Sequence, residues 1–64
     1  MQYIVKIYTN AGIRYFNGIY MDGVHKASLT SNSRYATLLS AFQANDVGNY
    51  YLRVYRYKFD LERI

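Results

Sequence analysis

The stretch Asn45-Asp46-Val47-Gly48-Asn49-Tyr50-Tyr51-Leu52-Arg53-Val54-Tyr55-Arg56-Tyr57-Lys58-Phe59-Asp60-Leu61-Glu62 decides the fold, because its two halves carry different periods. From Tyr55 onward, Tyr55, Tyr57, Phe59 and Leu61 alternate with Arg56, Lys58, Asp60 and Glu62. That is the two-residue period of a strand with one buried face. Leu52 and Val54 fall on the opposite parity, so a single strand from 50 to 62 needs a bulge near 54. The front half offers a helical reading, with Asn45 as N-cap, Asp46 in the first turn, and Val47, Tyr50, Tyr51 and Val54 at helical spacing. Gly48 opposes that helix by about 1 kcal/mol relative to alanine. A helix or turn ending near 53, followed by a strand from 53 or 54, needs no bulge and is the preferred reading.

Upstream, Ser31-Asn32-Ser33 can cap a helix, and Tyr35, Leu38, Leu39 and Phe42 follow at spacings of one helix face. With Arg34 and Gln43 on the other side, this predicts a helix over 33–44. Earlier still, two runs rich in β-branched and aromatic residues, 2–9 and 13–20, flank Asn10-Ala11-Gly12 and read as a β-hairpin. Asp22-Gly23 marks a second turn leading to a short strand at 24–29. The expectation is a single α+β domain over 1–64: a small antiparallel sheet in β-β-α-β order, three or four strands, with one helix packed on one face. The alternative is a small all-β barrel. Turn signals at 10–12, 21–23, 31–33 and 45–49 are spaced as barrel strands would be, and 36–43 is then a strand.

Lys6 inside a leading strand, an aromatic second strand, Leu29-Thr30 before a Ser/Asn cap, Ala36 inside a helix and a last strand ending Glu62-Arg63-Ile64 form a recognisable order. It resembles that of very small accessory proteins encoded by bacteriophages and other mobile elements. The resemblance implies a non-enzymatic protein that binds, and in several such groups inhibits, a host protein or nucleoprotein complex. It supplies no catalytic residue to transfer.

Composition narrows the chemistry. The chain has 64 residues, no cysteine and one histidine, His25. Disulfides and Cys- or His-rich metal sites are thereby excluded. Hydrophobic residues at 52% and charged residues at 19% suit a folded chain rather than a disordered one. A core this small gains from any additional burial, which makes a homodimer an expectation. The net charge of +4 favours acidic partners, nucleic acid among them. No apolar run approaches the roughly 20 residues of a bilayer span. The N-terminus lacks a basic start followed by an apolar block, so the expected location is cytoplasmic.

Constellations for catalysis are missing. Ser28 lies three residues from His25, and on a strand the two would face opposite sides, leaving His25 an exposed turn histidine. Gly12, Gly18, Gly23 and Gly48 stand singly, and Lys26 is followed by Ala27, so no phosphate-cradling loop is present. Asp22 and His25 alone cannot complete a metal's ligand set. Asp60 and Glu62 share a strand face with Arg56 and Lys58 and read as a solvated mixed-charge surface. No enzyme activity, metal or cofactor is expected.

The remaining feature is the sheet face turned away from the helix. If Tyr3, Val5, Ile7, Tyr55, Tyr57, Phe59 and Leu61 face the helix, then Ile4, Lys6, Tyr8, Arg56 and Lys58 face outward. From the second strand, either Ile13, Tyr15 and Ile19 or Arg14, Phe16 and Tyr20 join them. Taking the latter, the expected partner site is Lys6, Tyr8, Arg14, Phe16, Tyr20, Arg56 and Lys58. Aromatics among cations suit a protein interface. The same mixture suits a single-stranded nucleic-acid platform, the alternative function.

Overall fold

The computed structural model describes every residue except Asp22, with the backbone alone at Val24 and His25. The expected readings of Asp22 and of the His25 side chain lie outside the described residues. Strand β1 (Tyr3–Thr9) turns through Asn10-Ala11 into β2 (Gly12–Phe16). Two elements make the hairpin tight. Gly12 takes φ 109°, a conformation costly for any residue with a Cβ. Thr9 Oγ1 accepts from the Ala11 N–H at 3.1 Å and donates to the Gly12 carbonyl at 2.7 Å. The chain then breaks at Asn17-Gly18 and forms a second small hairpin of β3 (Ile19–Tyr20) and β4 (Val24–Lys26). A Cβ on Gly18 would run into the Lys26 backbone, so this close approach requires glycine. After β5 (Leu29–Thr30), a 3₁₀ turn (Ser33–Tyr35), helix α1 (Ala41–Tyr55) and β6 (Lys58–Arg63) complete the chain.

The main sheet is antiparallel, in the order β5-β2-β1-β6, with α1 packed against β1 and β6. It is open, not a closed barrel, and the α+β expectation is correct. The helix lies elsewhere than 33–44. Asn32 caps only the 3₁₀ turn, its Oδ1 accepting from the Arg34 N–H at 3.0 Å. Residues 36–39 are extended instead: Leu39 exchanges backbone bonds with Tyr3 (2.8 and 2.9 Å), and the Thr37 N–H reaches the Phe16 carbonyl at 2.9 Å. Of the four apolar positions that suggested a helix face, Tyr35, Leu38 and Phe42 are exposed and only Leu39 is buried. The helix begins at Ser40, whose Oγ accepts from the Gln43 N–H at 3.2 Å. The Gln43 side chain accepts in return from the Ser40 N–H at 3.1 Å, a reciprocal capping box.

The same helix absorbs most of the stretch that decides the fold. Ala44, Val47, Gly48 and Tyr51 form its buried stripe. It runs on to Tyr55 and ends at Arg56, in the left-handed region at φ 64°. The Arg56 N–H reaches the Leu52 carbonyl at 3.0 Å, and the Tyr57 N–H the Tyr51 carbonyl at 3.3 Å. The last strand therefore starts at Lys58, not at 53 or 54. Its parity nevertheless survives, because Tyr57, Phe59 and Leu61 pack on the core as expected while Tyr55 moves to the helix. Val5, Ile7, Phe16, Leu39, Ala44, Val47 and Tyr51 make the buried core. No residue among those described is a buried charge.

Candidate interaction surface

The tight turn fixes the register: Lys6 opposite Tyr15, Ile7 opposite Arg14, Tyr8 opposite Ile13. On the other side of β1, Ile4, Lys6 and Tyr8 stand opposite Glu62, Asp60 and Lys58. Residues directly opposite in an antiparallel pair share a face. The face away from α1 is thus three short rows: Ile4 with Glu62; Tyr15, Lys6 and Asp60; Ile13, Tyr8 and Lys58.

Three of the seven expected site residues, Lys6, Tyr8 and Lys58, lie together on this face. The other four are placed differently. Phe16 is fully buried and its ring meets Tyr51 edge-on at 6.5 Å between centroids, because the register puts Arg14 and Phe16 on the Ile7 side. Arg14 shares that side, at the turn end of the sheet. Tyr20 is no longer in phase with β2, since the chain breaks at Asn17-Gly18. It packs on the core, and its hydroxyl donates to Asp46 Oδ2 of α1 at 2.7 Å. Arg56 belongs to the end of the helix. Ile13 and Tyr15 take the places assigned to Arg14 and Phe16. A two-residue reading of the turn, Asn10-Ala11 with Gly12 opening β2, would have given that register from the sequence.

The face is electrically balanced, with Lys6 and Lys58 set among Asp60 and Glu62. Lys6 Nζ lies 3.7 Å from Glu62 Oε2 and 5.7 Å from the centroid of the Tyr8 ring. The Tyr8 hydroxyl donates to Asp60 Oδ2 at 2.6 Å. That bond, followed by desolvation, holds the Tyr8 phenol above its ordinary value. Tyr8 and then Glu62 hold the Lys6 ammonium above the lysine value, against desolvation acting the other way. Near neutral pH the face therefore offers an ammonium and a neutral phenol donor, both already engaged. Ile13 is 43% and Tyr8 39% exposed, whereas Tyr15 is half-buried and Ile4 buried, so the apolar part of the face is open to contact at its turn end. Around the β6 edge, Tyr8, Leu52, Lys58, Phe59 and Asp60 line a depression of about 530 Å³.

No family model, curated protein or solved structure matches the chain. Among the described residues no group of His, Cys, Asp or Glu could hold a metal ion, and no helix is long and apolar enough to cross a membrane.

Proposed function

We propose that the chain is a non-enzymatic interaction protein whose open sheet face binds another protein. It would act as the small phage and mobile-element factors that its sequence resembles do, by binding and inhibiting a host protein or nucleoprotein complex. The observation that supports this reading is the make-up of the face. Tyr8, Tyr15 and Ile13 stand among two lysines and two carboxylates, Lys6 lying 3.7 Å from Glu62. Aromatic and aliphatic anchors ringed by balanced charge suit a protein partner. A phosphate backbone calls for uncompensated cations. The single-stranded nucleic-acid reading loses Arg14 and Arg56 from the face and gains Asp60 and Glu62 beside the two lysines.

The test is capture from host lysate by the tagged chain, with and without nuclease. Wild type is compared with Tyr15→Ala and with Phe42→Ala, the latter on the exposed side of α1. A partner that survives nuclease, is lost with Tyr15→Ala and is kept with Phe42→Ala supports the reading. Capture abolished by nuclease, with affinity falling steeply in salt, would move the function to nucleic acid.

A further inference from the structure

Among the described residues, the outer edge of β6 pairs with no other strand. β6 pairs with β1 through six consecutive residues without a bulge, and its other side has no neighbour in the sheet. The Ile64 N–H bonds the Gln2 carbonyl at 2.9 Å, and the same register makes Glu62–Ile4, Asp60–Lys6 and Lys58–Tyr8 the hydrogen-bonded pairs. The N–H and C=O groups of Phe59 and Leu61 therefore point away from the sheet. Edges of this kind are usually shortened, bulged or broken by proline. The opposite edge, β5, is only two residues long, whereas β6 is six residues long, unbulged and free of proline, and its edge charges, Lys58, Asp60, Glu62 and Arg63, are of both signs.

We infer that the occupant of this edge is β6 of a second copy, paired antiparallel about a two-fold axis through Phe59, which joins the two sheets into one. The inference does not require that the open face bind a partner, although Lys58 and Asp60 belong to that face; self-association and amide exchange are read on the chain alone. Charge selects both the partner and the register. Centring the pair on Leu61 sets Asp60 against Glu62 of the other copy twice, and centring it on Asp60 opposes two identical carboxylates. Centring it on Phe59 places Lys58 opposite Asp60 of the second copy, twice. Lys58 has no ion-pair partner among the described residues. Asp60 uses only Oδ2 on Tyr8, leaving Oδ1 for the incoming ammonium. Phe59 then exchanges both backbone bonds with its symmetry mate. Each Leu61 N–H reaches the Tyr57 carbonyl of the other copy, the Tyr57 N–H being occupied by the helix end. The depression between Leu52 and β6 lies along the same edge, where the second strand would seat.

Two measurements test this on the full chain. In wild type, sedimentation should show a concentration-dependent dimer. The Phe59 and Leu61 amides should gain protection from hydrogen exchange as concentration rises, while Asp60 and Glu62 are protected throughout. Lys58→Glu and Asp60→Lys each set like charges against each other in the chosen register, and each should weaken self-association about tenfold. An equimolar mixture of the two variants should recover a heterodimer, because every cross-strand contact is again opposite in sign. A wild-type chain monomeric at millimolar concentration, with freely exchanging Phe59 and Leu61 amides, would overturn the inference. So would folded single variants that associate like wild type, or a mixture that fails to recover. The wild-type exchange experiment decides the matter even if a variant does not fold.

Discussion

A Cβ at position 48 would stand where the Phe59 ring lies, so the helix meets β6 at its own backbone. Two effects compete in Gly48→Ala. Helix propensity favours alanine by about 1 kcal/mol. Overpacking against a ring that must move costs about 1–3 kcal/mol. We expect a net loss of about 1 kcal/mol, read from the urea midpoint. Adding Phe59→Leu should cost less than the sum of the two single changes, because both act at one contact. Tyr51 gives a second residue-scale prediction. Burial, then the neighbouring Tyr50 and Tyr55, pushes its phenol from 10.0 up to about 12. In the unfolded chain the phenol loses its proton near the ordinary value, so above it the folded state holds the extra proton. The stabilisation is complete below pH 10 and is lost as pH rises towards about 12. The raised Tyr8 and Lys6 values act in the same direction. Tyr51→Phe should therefore flatten the alkaline fall in unfolding free energy, followed by denaturant titration between neutral and strongly alkaline pH.

At the scale of elements, the start of α1 is the sharpest test of where the helix lies. Ser40→Ala removes one half of the capping box and should cost about 1 kcal/mol. Asn32→Ala touches only the 3₁₀ turn and should leave the helical circular dichroism signal unchanged. A helix over 33–44 would reverse that order. The signature was present in the sequence as Ser40 followed three residues later by Gln43. The spacing of Tyr35, Leu38, Leu39 and Phe42 points instead to a helix that runs through it, and no cap at Ser40 is read from the sequence. Packing decided otherwise. Leu39 is more useful as a bridge to Tyr3 than as part of a helix, and the glycine that weakens the helix in isolation lets it sit on Phe59. The first hairpin was legible because its turn carries a glycine between two β-rich runs. The helix-facing parity of β6 was legible from simple alternation. The open face was half legible: β1 and Lys58 followed from parity, whereas β2 needed a register that a three-residue reading of the turn left ambiguous.

For the molecule as a whole, the decisive quantity is how little stability a 64-residue core can spare. Phe16 is among the largest fully buried side chains, closing the core between β2 and the Tyr51 ring. Removing a buried phenylalanine costs about 3–5 kcal/mol. A chain of this length has a total of only about 3–10 kcal/mol at the usual stability per residue. Phe16→Ala should therefore be largely unfolded or melt far below wild type. Tyr15→Ala, one position along on the open face, should stay folded with a change of about 1 kcal/mol or less, since it leaves the buried cluster intact. Thermal unfolding of the two variants side by side reads the register of β2 directly. If Phe16→Ala were folded and Tyr15→Ala were not, the two faces of the sheet would be exchanged. The face on which the proposed protein partner would bind would then be made of other residues. The expected order also tells which aromatic can be truncated to probe binding. A loss of partner with Tyr15→Ala reports on the surface, and a loss with Phe16→Ala reports only on the fold.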